Sequence, residues 1–510
     1  MNGKTRKIFV SAVALMLCLC SVLMYSACGD TGGTPDGTTV PGADSQGTPD
    51  GSTEPVTEAR TDEFGRPWIE DGLPETADYD REFSVHTRGN VEQYEWKAEE
   101  ENGTTLNDAI YHRNLVVEER YGIKLKIIAE GSWSDYASAS LPKIRASVTA
   151  GNGAYDLLAG YEPITSLATE GLLFNLGDSK YINFEKPWWS DSFNEELSLN
   201  GINYFGLGAL SLSMIYSMEN IFVNTDILGE IAQGYNIYNT VKKGDWNCEE
   251  VARLAKLGWI DRDNNGKANL GDRVGLAFPD SGNSAYGFLF ATGIDFTTRD
   301  DAGMPTTSGL DLDKASSAID TIIGLFYKTE GVADNTTETK INFGEGDCLF
   351  FFRWLYWGQT QYAGQLDHYG IVPMPKVLDG QENYYTPVQA GMHIYCIPID
   401  VKNFDENSII TEALVAESYR SLMPKYFEVV LKSRYAKDME TSQMLDLMYE
   451  TVGFDFCYIW RTSLNYMSSF KDVVVSKNNT LASSYNTVTK LVNKKLPDLL
   501  EKLMDPPKVG

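Results

Sequence analysis

The chain has 510 residues, enough for about two or three domains with substantial cores. Its formal net charge is −28, with 71 Asp and Glu against 43 Lys and Arg. A chain this acidic repels phosphate backbones and anionic membrane surfaces, which excludes nucleic acid as an expected partner.

The first element is a leader. Lys4, Arg6 and Lys7 precede an almost wholly apolar run at 8–24, and Ser26 and Ala27 supply small residues ahead of a cut. No other stretch is greasy and long enough to enter a bilayer. The leader ends at Cys28, and this junction resembles the lipobox of bacterial lipoproteins, whose cysteine takes a diacylglycerol and becomes the mature N-terminus. Tyr25 stands where that motif prefers Leu. The blander readings are an ordinary signal peptide with an incidental cysteine, or an uncleaved anchor. Lipidation of Cys28 is the expectation, because a tether follows. Residues 29–60 are mostly Gly, Thr, Pro, Asp and Ser with almost no large apolar residue, and GTPDG occurs at 33–37 and again at 47–51. Such composition cannot bury enough surface to offset its ordering entropy. A signal peptide at 1–27 and a disordered tether and lead-in at 28–77 are therefore expected.

Helix and strand signals then alternate. Residues 82–86 read as a strand. A helix follows from Thr105, where Leu106, Ala109, Ile110, Val116 and Val117 keep a helical period and Gly122 stops it. Ile123, Leu125 and Ile127 alternate with Lys124 and Lys126, the pattern of a half-buried strand. A helix at 141–150 and a buried strand at 155–159 complete a β-α-β-α-β order. That order predicts an α/β fold, with a parallel sheet flanked by helices. Beyond Gly201 the aromatic, Ser- and Gly-rich stretch 204–223 predicts strands. Helices are expected at 248–257, 313–327, 411–432, 442–449 and 488–503, the last interrupted by Pro497. Strands are expected at 347–352, 370–372 and 393–397. Cys248, Cys348, Cys396 and Cys457 show no metal-binding spacing. They leave open a Cys348–Cys396 disulfide, if both sit on neighbouring strands, or buried free thiols.

The sharpest local motif runs from Asp261 to Asp272. It matches an EF-hand-type loop at positions 1, 3, 5, 6, 9 and 12. Asp261, Asp263 and Asn265 offer side-chain oxygens around a tight turn that Gly266 permits. Lys267 would give its backbone carbonyl, Asn269 would bind directly or through water, and Asp272 would close the loop. A structural Ca²⁺ is expected; the alternative is a metal-free turn, which Asn, Asp and Gly form anyway.

The second signal is aromatic density. Trp96, Trp188, Trp189, Trp354, Trp357 and Trp460 fall in loop-like positions. Flat rings beside polar groups suit sugars, whose C–H faces stack while polar side chains take the hydroxyls. The competing reading is core packing. Catalytic signatures are mostly absent. His86, His112, His368 and His393 form no metalloprotease motif, and there is no nucleophile elbow, phosphate-cradling loop or Cys-x-x-Cys. A binding protein is expected, not an enzyme; a surface-tethered glycan-degrading enzyme and a sensor or adhesin are the alternatives.

Several segments in order resemble family 1 extracellular solute-binding proteins, the lipid-anchored receptors of bacterial ABC importers. They are YDLLA at 155–159, GLLFNL at 171–176, IFVNTD at 221–226, DWNCEEVARLA at 245–255, VGLAF at 274–278, FGEGDCL at 343–349 and YGIVPMPK at 369–376. The resemblance covers roughly 78–503. It implies a two-lobe periplasmic-binding-protein fold of type II, each lobe a sheet flanked by helices, joined by crossing strands. Lobe one would be 78–205 with 340–398, and lobe two 206–339 with 399–503. The implied function is capture of a carbohydrate, expected to be an oligosaccharide, by a monomer at the outer face of the cytoplasmic membrane, for delivery to ABC permease subunits. Trp96, Tyr161, Glu162, Trp188, Trp189, Tyr216, Glu219, Arg353, Trp354, Tyr356, Trp357 and Trp460 are the implied ligand contacts. Tyr161, Trp354 and Trp357 would stack on sugar rings, and Glu162, Glu219 and Arg353 would take hydroxyls.

Overall fold

Strand β1 (Arg81–Thr87) forms the middle of the first sheet because its residues are apolar on the inward face: Phe83 and Val85 are fully buried. The helix Thr105–Tyr121 packs beside it and stops at Gly122, whose φ of 59° is left-handed. A side chain at Gly122 would also strike Asp78, so glycine serves both the turn and the close approach. The chain then enters β2 (Ile123–Ala129), parallel to β1. Lys124 and Lys126 point outward and pair with Glu118 at 2.9 Å and Glu82 at 2.8 Å. After the helix Leu141–Thr149, β3 (Leu157–Gly160) joins the other side of β1, also parallel and wholly buried.

The described residues are 60–334, 341–358, 362, 365–366, 368–432 and 439–507 of a computed structural model. All fall in the unit Ala59–Gly510. The leader, Cys28 and residues 29–59 lie outside them; residues 60–77, expected to belong to the disordered tether and lead-in, are instead packed on the fold, where Leu73 is buried and Asp71 pairs with Arg120 at 2.7 Å and Arg420 at 3.1 Å. Among the described residues no helix is long and apolar enough to cross a membrane.

The remaining strands are β4 (Glu219–Asn224), β5 (Val274–Phe278), the short pair β6 (Thr298–Arg299) and β7 (Pro305–Thr306), β8 (Val332–Asp334), β9 (Cys348–Trp354), β10 (Tyr369–Val372) and β11 (Ile394–Cys396). They complete a four-stranded sheet, β11-β3-β1-β2, and a five-stranded sheet, β10-β4-β9-β5-β8. The fold is thus mixed α/β with two sheets. β11 runs antiparallel to β3, and β4 antiparallel to β9, while β5, β8 and β9 are parallel.

The pairing departs from the lobe assignment read from sequence. β9 and β10, placed with the first lobe, hydrogen-bond into the second sheet, and only β11 returns to the first. Phe350 and Phe352 of β9 meet Trp246 and Phe288 in that core. The helix Phe404–Glu417, expected to begin at 411 and to sit in the second lobe, packs instead on the helix Thr105–Tyr121. The stretch 204–223 yields one strand, β4, preceded by the short helix Leu212–Tyr216. The final helix Leu481–Met504 runs through Pro497 without breaking, held by buried Leu496, Leu499 and Leu503. Cys348 and Cys396 lie in different sheets, so they are not neighbours. All four described cysteines are free and buried, and burial pushes their thiols up.

Candidate ligand-binding cleft

The parallel strands of both sheets end toward one region. The segments leaving β1, β2 and β3 meet those at the ends of β4, β9 and β11, as expected for the carboxyl edges of α/β sheets. A cavity of about 270 Å³ lies there. Asn90, Glu92 and Trp133 line it from the first sheet. Tyr216, Ser217, Trp354 and Tyr356 line it from the second, and Gln389 and Gly391 from the segment leading into β11.

The first wall is a ring stack. Trp133 lies on Tyr161 with centroids 4.7 Å apart and an 18° interplanar angle. The Tyr161 hydroxyl donates to the Trp133 carbonyl at 3.0 Å. Behind them the Arg88 guanidinium sits 4.6 Å from the Tyr161 centroid and 5.0 Å from Trp133. Arg88 is fully buried, pairs with Glu92 and donates to the Gly391 carbonyl at 2.6 Å. Trp133 itself is 42% exposed, so its outer face is open to a ligand. Gly391 passes so close that a side chain there would run into the Trp133 ring.

Below this stack, Tyr216 donates to Glu95 at 2.8 Å, and His393 Nδ1 lies 3.4 Å from the other Glu95 oxygen. Burial and the Glu95 charge push the Tyr216 hydroxyl far up, so it stays a donor. Tyr216 also meets Tyr356, centroids 5.9 Å apart.

The second wall is the end of β9. Arg353 lies 5.1 Å from the Trp354 centroid and 4.1 Å from that of Trp357. Arg353, Trp354, Tyr356 and Trp357 are half-buried. Glu219 pairs in register with Trp354 but turns against the helix Ser281–Ala291, where a side chain at Gly287 would strike it. Burial pushes its carboxyl up to about 8, so it is largely protonated at neutral pH.

The expected contacts therefore separate into two groups. Tyr216, Trp354 and Tyr356 line the cavity, Tyr161 backs Trp133, and Arg353, Trp357 and Glu219 lie beside Trp354. Trp96, Trp188, Trp189 and Trp460 are core residues, at most 3% exposed, and do not reach the cavity. Trp96 packs edge-on against Tyr395. Trp188 and Trp189 both donate indole N–H groups to the buried Glu412, at 2.8 and 2.9 Å. Trp460 packs on Phe205 and Phe456. Trp188 and Trp189 satisfy their indole N–H groups inside the protein, and burial on all sides removes all four rings from ligand contact. Glu162 is bound internally by Arg461 at 3.4 Å. The sequence reading placed neither Trp133 nor Gln389 near the cleft. The Gly-Ser-Trp-Ser-Asp run directly after β2 was the available signal for Trp133, since it leaves the same strand edge.

A larger cavity, about 760 Å³, lies between the segment 93–110 and Val429 and Val430. It sits on the flank of the helix Thr105–Tyr121.

The loop 261–272 lies between Ile260 and Arg273, which bridge, and leads into the amino end of β5, the edge opposite the cleft. Carboxylate oxygens of Asp261, Asp263 and Asp272 fall within 4.8 Å of one another. The backbone N–H of Gly266 donates to Asp261 at 2.8 Å and holds its carboxyl below the usual range. Asn264 and Gly266, at φ 58° and 75°, make the turn. The Asn265 side-chain oxygen accepts from Lys267, and the Lys267 carbonyl accepts from Asn269. Three converging hard oxygens fit a Ca²⁺ in donor type, with Asp272 buried beneath them.

No protein-family profile matches the chain, and no characterised protein matches it in sequence. Two of the solved structures similar to this chain illustrate the likeness. One is the GacH receptor of Streptomyces glaucescens, studied unliganded and with acarbose: 11% identity, TM-score 0.47, covering 84% of this chain and 100% of that one. The other is the maltose/maltodextrin-binding domain MalE from Bdellovibrio bacteriovorus, bound to maltotriose: 13% identity, TM-score 0.48, covering 82% and 100%.

Proposed function

We propose that this protein is a carbohydrate-binding receptor that holds an oligosaccharide in the cleft between its two sheets. The observation that carries the reading is the cavity itself. Its rings, Trp133, Tyr216, Trp354 and Tyr356, come from both sheets, and its polar groups, Asn90, Glu92, Ser217 and Gln389, stand among them. Rings stack on the apolar faces of pyranoses and amides and carboxylates take hydroxyls, so the combination selects sugars over purely apolar solutes. Sugar bound against both walls would favour a closed arrangement of the two sheets.

In this reading the receptor is anchored through a lipidated Cys28 at the outer face of the cytoplasmic membrane, acts as a monomer and passes its ligand to an ABC permease. The leader and tether composition support the anchor. The loop 261–272 holds a structural Ca²⁺, supported by its converging carboxylates. Thermal-shift screening of neutral and charged oligosaccharides tests the binding reading: a concentration-dependent rise in Tm supports it, and no response to any sugar overturns it. Fatty-acid labelling of wild type and Cys28→Ser tests the anchor.

A further inference from the structure

Several buried polar atoms at the end of β9 lack hydrogen-bond partners among the described residues. Arg353 forms no ion pair among the described residues, and its buried Nε lacks a hydrogen-bond acceptor. The buried Nε1 atoms of Trp354 and Trp357 also lack acceptors. Directly across the strand pair, Asn220 is fully buried with neither side-chain atom bonded. Leaving a buried donor unsatisfied costs about 1–3 kcal/mol, and more when it is charged. At a ligand cleft such groups take their partners from water or from the ligand.

The chemistry of the missing partner follows from the donors. Arg Nε–H and both indole N–H groups can only donate, so the incoming group must mainly accept. A hydroxyl carries no charge to meet a guanidinium. A carboxylate accepts at both oxygens and matches the planar guanidinium fork. Neither nearby carboxyl forms an ion pair with Arg353: Glu219 is held largely protonated by burial, and Asp280, whose oxygens accept from Asn283 at 2.7 and 2.9 Å, acts on the guanidinium only through space. The overall acidity of the chain acts at long range, where salt screens it beyond roughly 10 Å.

We propose that Arg353, flanked by Trp354 and Trp357, recognises a carboxylate on the sugar, so that the ligand is an acidic, uronic-acid-containing oligosaccharide. This rests on the carbohydrate reading above and narrows it. The carboxylate pairs with the guanidinium while the two indoles pack against the ring that carries it.

Calorimetric titration with uronic-acid trisaccharides and their neutral parent trisaccharides tests the assignment on the intact mature chain. A uronate should bind at least about tenfold tighter than its parent, and raised salt should erode that ratio. In Arg353→Gln the ratio should fall to about one, and Arg353→Lys should recover part of it. Circular dichroism and Tm establish that each variant is folded; Arg353→Lys, which keeps the charge, tests the assignment if Arg353→Gln is not. Neutral parents binding as tightly as uronates overturns the carboxylate but leaves the carbohydrate reading standing. So does preferential binding of sulfated sugars. If no sugar of any kind binds, both readings fail.

Discussion

Glu162 and Arg461 form an ion pair 3.4 Å long between the two halves of the molecule. Glu162 opens the turn after β3 of the first sheet. Arg461 belongs to a short helix packed on Tyr466–Val475 and Leu481–Met504, and the helix Tyr466–Val475 packs on Ser281–Ala291 beside the second sheet. The other Glu162 oxygen accepts the backbone N–H of Thr462 at 3.3 Å. Both contacts hold the first sheet's cleft loop against the C-terminal helices. Glu162→Gln should weaken the link by about 2 kcal/mol, because the partly buried Arg461 loses its charge partner. Scattering should then report a larger radius of gyration for the unliganded variant. An unchanged radius and stability would mean the pair does not restrain the two halves.

Gly391 controls the shape of the first wall. A methyl at this position meets the Trp133 ring, which is exposed enough to swing aside. Gly391→Ala should therefore change stability by less than about 1 kcal/mol and reduce sugar affinity by about tenfold. Equal affinity in the variant would indicate that the Trp133 face is not used.

Glu412 makes stability depend on pH. Burial raises its carboxyl from the usual 4.5 to about 7, although it accepts from both Trp188 and Trp189. Between those two values the unfolded chain is ionised at this position and the folded chain holds the proton. Stability from this group is thus complete below about pH 4.5 and is lost as pH rises through about 7. The size is on the order of 3 kcal/mol. Glu412→Gln should flatten the fall in Tm over that window. A Tm–pH curve of the same slope in both proteins would refute the assignment.

The loop 261–272 should couple metal to folding. Saturating Ca²⁺ at about a hundred times its Kd adds about 2.7 kcal/mol. EDTA should lower Tm by several degrees, and Asp261→Asn with Asp263→Asn should abolish the response. A Tm unmoved by EDTA in wild type would leave the loop a plain Asx turn.

Local pattern revealed the first half of the fold well. The alternation of Ile123, Leu125 and Ile127 with two lysines, and the stop at Gly122, each reflect a single residue environment within a few positions. What the pattern could not carry was long-range pairing. β9 and β10 are apolar on both faces, as any buried strand is, so nothing in them names their neighbour β4. The tryptophans show the same limit. Trp188 and Trp189 stand in polar, loop-like sequence, yet a buried acceptor more than two hundred residues away decides that they are core. Among the described residues no acceptor answers Trp354, and it lines the cavity. Which rings face the cleft depends on tertiary partners.

The central claim is that rings from both sheets grip a sugar in one cleft. Titration calorimetry of an oligosaccharide panel against wild type and the double variant Trp133→Ala, Trp354→Ala tests it directly. The account predicts a Kd of about 10 μM or tighter for at least one oligosaccharide, weakened by about a hundredfold or more when both rings are gone. A sugar that binds the double variant as tightly as wild type, or no sugar that binds wild type at all, would contradict it.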